Sequence, residues 1–189
     1  MEPLKLDPAS SALILIDLQH GIVGMDTKPH ASSSVVEKGA ALAEAFRKKN
    51  ALVVYVRVDM ANMIHLPVDL SHGDPSNPPP PIASELVPAS GVQSGDLVIT
   101  KRHWSAFSGT ELETTLLQAG VKTVVICGIA TNFGVESTAR TAAGLGFAVV
   151  FAEDATTSID TQAHQFSFSM IFPMLGRVRK TSEVVQAIA

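Results

Sequence analysis

One cysteine, Cys127, occurs among 189 residues, so an internal disulfide is excluded. Aromatic residues make up 5% of the chain, with one tryptophan and one tyrosine. No apolar run approaches the roughly 20 residues that a membrane-spanning helix needs. No basic block is present, and net charge is −4 from 14 Lys+Arg against 18 Asp+Glu. Nucleic acid and anionic membrane are therefore not the expected partners. The opening MEPLKLDPASSALILID lacks the form of a secretory signal, because its apolar run is short and ends on an acid. These absences predict a soluble cytoplasmic protein.

What is present is an ordinary globular mixture, 46% hydrophobic and 17% charged. Short apolar runs alternate with segments of helical period. ALILID (12–17), ALVVYVRV (51–58), DLVIT (96–100), VKTVVICG (121–128) and FAVVFAED (147–154) read as strands, and RVRK (177–180) as a short edge strand. Helices are expected over 32–50, 110–120, 132–146, 161–176 with a break near Pro173, and 181–189. The second should be capped by Thr110 with Glu113 three residues on. Continuous apolar strands alternating with helices predict one α/β domain over 1–189, a parallel sheet covered on both faces. The exception is 59–95, a long connection containing NPPPP (77–81), whose prolines predict an extended, helix-free path. A loop of this length suits a lid, a binding element or an oligomer contact.

Ligands of such sheets bind beyond the carboxyl ends of the strands, where strand order reverses. Asp17 ends the first strand, as a buried paired carboxylate or a simple turn residue. Lys101 ends the third, and His103 and Trp104 follow it toward a pocket or the core. Thr131 and Asn132 enter the helix after the fourth strand, where free N–H groups favour negative charge and Asn132 also suits a cap. Glu136 and Arg140 have the spacing of a helix-surface ion pair. Asp154 is expected as a turn or cap residue. Cys127 lies inside an apolar strand and reads as core. Ser137 and Thr131 are weak nucleophile candidates, because no histidine stands near them in sequence.

Histidines 20, 30, 65, 72, 103 and 164 are scattered, and no two share one element at ligating spacing. Asp59, His65, Asp69 and His72 in the long loop are the one metal grouping to weigh. No glycine-rich nucleotide loop follows any strand. The residues assign no metal and no cofactor.

ALILIDLQHGIV (12–23), VITKRHWSAFSGTELETTL (98–116) and CGIATNFGVESTARTAAGLGFAVVFAEDATTS (127–158) together resemble the isochorismatase-like, or cysteine hydrolase, family. GIATNFGVESTAR is most similar to its YecD-like branch. The resemblance implies a three-layer sandwich, with a six-stranded parallel sheet of order 3-2-1-4-5-6 and helices on both faces. It implies a small-molecule substrate and a homodimer or homotetramer, to which FSFSMIF (166–172) offers apolar surface.

Most members use an Asp–Lys–Cys triad. Asp17 and Lys101 match the first two positions, and the cysteine position, four after Ala130, is Gly134. The D-x-H metal pattern of the nicotinamidases reads Asp59-Met60-Ala61 here. True isochorismatases also carry glycine at the third position and cleave a vinyl ether by acid chemistry. The resemblance thus implies hydrolysis of a small, anionic molecule without a thiol, with Asp17 as acid and Lys101 as electrostatic partner. It places a cis peptide at Ile129–Ala130, with Thr131 beside it turning N–H groups to the ligand. Gln19, Trp104, Asn132 and Phe133 are the expected substrate contacts. The alternative is a member that lost catalysis with its cysteine and binds small molecules or acts as a scaffold.

Overall fold

A computed structural model describes residues 3–71, 74 and 76–188. Strand β1 (Ser11–Ile16) is buried along its whole length, as a strand covered on both faces must be. It pairs with β2 (Leu52–Val58) on one side and β4 (Thr123–Ile129) on the other. β3 (Leu97–Lys101) extends the sheet beyond β2, and β5 (Ala148–Thr157) and β6 (Gly176–Arg179) extend it beyond β4. All neighbours are parallel and the order is 3-2-1-4-5-6. The order reverses between β1 and β4, which fixes where a ligand site belongs.

Alternation along β1 sends Leu13 and Leu15 into one core and Ala12, Ile14 and Ile16 into the other. The first core is closed by α2 (Ser32–Lys48) through Val35, Leu42 and Phe46, after the short α1 (His20–Val23). The second is closed by α3 (Leu112–Gln118) and α4 (Glu136–Gly144) through Leu112, Leu116 and Ala139. These are the two helical layers the pattern predicts. No helix among the described residues is long and apolar enough to cross a membrane.

The departures have local causes. The chain does not enter α4 directly: Thr131–Val135 forms a π-helical turn first. The 161–176 segment splits into α5 (Thr161–Phe166), a π turn at Ser167–Ile171 and α6 (Phe172–Leu175). Pro173 has no N–H for the carbonyl four residues back, and Phe172 reaches back five, to Ser167. Thr110 lies one residue before the cap of α3, Glu111, so the expected capping box does not form; its hydroxyl accepts from Leu112 N–H and donates to Ala106 O. Pro81 opens a 3₁₀ turn, Pro81–Ser84, where an extended path was expected; proline suits a first turn, which needs no N–H. The last helix, α7, is Thr181–Ala187. In FSFSMIF, Phe166 and Met170 are exposed and Phe172 is buried.

Candidate active site

Asp17 follows β1 with φ of 55°, a left-handed backbone uncommon for non-glycine residues and concentrated at functional sites. Its N–H is held by Val56 O. The conformation points the carboxylate along the carboxyl edge of the sheet, where Lys101, the last residue of β3, reaches it past β2. Lys101 Nζ lies 2.8 Å from Asp17 Oδ2 and donates to Trp104 O at 2.7 Å. The two residues are 6% and 2% exposed. Asp17 Oδ1 is buried with no hydrogen-bond partner among the described residues. Burial pushes the Asp17 carboxyl up, and it outweighs the downward pull of Lys101.

Gly134 stands in the π turn, directly over this pair. A Cβ there would lie 2.9 Å from Lys101 Nζ and 3.0 Å from both Asp17 Oδ2 and Ile16 Cγ2. The backbone torsion here does not demand glycine, and a side chain would need only small shifts of the Asp17–Lys101 pair and Ile16. Gly128 is different: its φ is 122°, and a Cβ would come within 2.1 Å of Ile16 O. The Ile129–Ala130 peptide is cis, and Ala130 O accepts from the N–H groups of Phe133 and Val135. Above lies a cavity of about 350 Å³. Asp17, Lys101, Ala130 and Gly134 form its floor. Trp104 and Phe133, edge to face at 5.1 Å, form one wall. Met25, Met60 and Met63 give much of the rest, so the long 59–95 connection supplies part of the enclosure.

The profile of the isochorismatase domain matches residues 11–183. The chain belongs to the isochorismatase family. It is 40% identical over 191 residues to the uncharacterized isochorismatase family protein YwoC of Bacillus subtilis, covering 100% of this chain and 99% of that one. It is 40% identical over 189 residues to the uncharacterized family protein YecD of Escherichia coli O157:H7, covering 98% and 100%. A solved isochorismatase family protein from Burkholderia thailandensis superposes with a TM-score of 0.92, at 40% identity and 99% coverage of both chains.

Within this isochorismatase-family chain, Asp17, Lys101, Trp104, Ile129, Ala130, Phe133 and Gly134 converge on the cavity. Gln19 does not. It is fully buried, donates to Val58 O and Ala83 O, and accepts from Val58 N–H. Its amide is consumed in tying β2 to the long loop, which corrects its expected role as a substrate contact. Asn132 is also turned away, its Oδ1 accepting from Ser158 Oγ at 2.5 Å. Thr131 is fully buried outside the cavity lining, with Oγ1 2.8 Å from His164 Nδ1. A histidine is therefore near it in space though not in sequence.

Cys127 is fully buried in β4, and burial pushes its thiol up to about 12. Arg140 pairs with Glu136 at 2.9 Å, and Glu136 also accepts from Ser167 Oγ. Asp59 accepts from Asn62, while His65 lines the cavity; His72 lies outside the described residues. The sequence reading missed one grouping, His30, Glu153 and His164. They come from the loop before α2, from β5 and from α5. No linear spacing relates them.

Proposed function

We propose that this chain hydrolyses a small molecule without a nucleophilic side chain, with Asp17 as general acid and Lys101 as its charge partner. One observation carries the reading. A buried carboxyl with an unpartnered oxygen lines the cavity beneath Gly134, which sets no nucleophilic side chain over the ion pair. Such a site suits bonds that break on protonation. For an enol ether, Asp17 delivers a proton to the vinyl carbon, and water adds to the oxocarbenium carbon that results. The Asp17 carboxylate recovers its proton from that water, and the hemiketal collapses to a carbonyl compound and an alcohol. Lys101 stabilises the carboxylate between the two transfers.

The cavity narrows the substrate class. Its walls are mainly apolar and aromatic, and its one ammonium is already paired with Asp17. A substrate with one anionic group and an apolar body fits better than a polyanion. Isochorismate-type enol ethers belong on the panel, with monoanionic analogues beside them.

The test is turnover of that panel by wild type and Asp17→Asn, read as kcat/KM against pH. A general acid contributes about 10²–10⁴-fold, and a loss of that size is expected in the variant with its far-UV spectrum unchanged. Activity should fall as pH rises through the raised Asp17 pKa, because the protonated form is the working one. Undiminished turnover by Asp17→Asn overturns the assignment. Binding of panel members with no turnover would point to a non-catalytic binding protein, and amidase activity gained by Gly134→Cys would strengthen that alternative.

A further inference from the structure

We propose that His30, Glu153 and His164 form a binding site for a divalent transition metal of the zinc class, joined through Thr131 to the turn that carries Gly134. The proposal does not rest on the hydrolase reading. His30 Nε2 is 3.1 Å and His164 Nε2 3.5 Å from the same oxygen, Glu153 Oε1. All three ligating atoms lie within 4.8 Å of one another. Ligands around a tetrahedral zinc ion, at 2.0–2.1 Å from the metal, stand about 3.3 Å apart. Both imidazole-to-carboxylate spacings are thus already close to what the ion imposes.

Two nitrogens and one carboxylate oxygen make a donor set that favours zinc and its neighbours over calcium or magnesium. Three protein ligands leave a fourth position for water.

The surroundings fix these groups from behind. His164 Nδ1 meets the Thr131 hydroxyl at 2.8 Å; donating there leaves Nε2 as a lone pair aimed at the site. Lys180 holds the other carboxylate oxygen, Glu153 Oε2, leaving Oε1 to the metal. His30 is anchored through its backbone, its N–H donating to Thr157 Oγ1 and its carbonyl accepting from the same hydroxyl. Glu153 sits where β5 departs from regular pairing. Between the pairs Ile126–Phe151 and Gly128–Thr156, β5 advances five residues against two of β4. Such bulges re-aim side chains.

An ion-pair network alone accounts less well for this geometry. Two imidazoles crowd one oxygen, and the His164 contact at 3.5 Å is too long for a good hydrogen bond. An ion between them would draw all three groups inward. Side-chain exposures of 28% for His30 and 19% for Glu153 leave an entry path, while His164 at 3% forms the inner wall. Through Thr131, the bound ion would brace the turn that carries Ala130 on the cavity floor.

The test uses the tag-free full chain, stripped with chelator and titrated with zinc sulfate by calorimetry, with metal analysis after dialysis. One zinc per chain is expected for wild type and for His20→Ala, which removes an exposed histidine. Binding should weaken at least tenfold in His30→Ala and Glu153→Gln. Zinc should raise the melting temperature of wild type and leave that of His30→Ala in place. Cobalt(II) should give the visible absorption of a four-coordinate site in wild type and His20→Ala and not in His30→Ala. Truncating the partly exposed His30 leaves the core intact, so it decides the matter should Glu153→Gln fail to fold. No stoichiometric zinc in wild type, or equal affinity in His30→Ala, overturns the proposal.

Discussion

Asp17 is pulled in opposite directions by burial and by Lys101, and removing the lysine exposes the first. Lys101→Met leaves a buried carboxylate without its counter-ion, a change worth about 3–5 kcal/mol at neutral pH. The sign of the pH dependence follows from the raised carboxyl. Its folded pKa lies above the unfolded 3.8, so the folded state holds the proton more tightly. That contribution is complete below the unfolded value and is lost as pH rises through the folded one. Without Lys101 the folded value climbs further, so the destabilisation should shrink as pH falls. Urea unfolding at pH 5 and pH 7.5 checks this, and Asp17→Asn/Lys101→Met should recover most of the loss. Asp17, Lys101 and Gly134 were legible in sequence, because strand ends and a family pattern mark them together. Gln19 and Asn132 lie outside the cavity lining, their side chains bonded to the protein itself. Polar residues beside a strand end satisfy backbone as readily as they meet a ligand, and only partners distant in sequence decide between the two.

At the scale of elements, the irregular pieces carry the positioning. The π turn sets Gly134 over the ion pair, and the β5 bulge lifts Glu153 and Asp154 out of regular pairing. Asp154 was expected as a turn or cap residue; it lies inside β5 and caps the start of α7. It accepts from the N–H and hydroxyl of Thr181 at the start of α7, and from Lys38 of α2. Burial pushes its carboxyl up, but the Thr181 bonds and Lys38 together hold it below the usual range. A lowered folded pKa gives stability that is present above the unfolded value and lost as pH falls through the folded one. Asp154→Asn should therefore cost about 1–2 kcal/mol at pH 7 and progressively less below pH about 4, read by chemical denaturation. Neither the bulge nor the π turns follow from apolar periodicity, which records faces and lengths but not a locally inserted residue. Pro173 is the one visible signal among them.

At the scale of the molecule, the strand–helix alternation was enough for the layers and the parallel sheet. An all-buried β1 has no other stable placement than the middle. The strand order came from the family resemblance, and the pairing of β1 with β4 confirms it. The His30, Glu153 and His164 grouping is whole-molecule information, since it exists only once three separate segments fold together. Cys127 reports on the same scale. It lies opposite Leu15 in the central strand pair, with its thiol pushed up to about 12. A thiol reagent should leave the native protein unlabelled and modify it at the rate of global unfolding, because no smaller opening frees a central strand. Rapid labelling without denaturant would contradict this.

The central place of β1 also sets an order of events during synthesis. Its edge toward β4 waits through roughly a hundred further positions, from Ile16 to Thr123. At ribosomal rates of roughly 5–20 residues per second, that wait lasts about 5–20 s. Through it the nascent chain carries its most apolar strand with one hydrogen-bonding edge open. The strand made first is completed late, and chaperone demand during biogenesis should peak before β4 emerges from the exit tunnel.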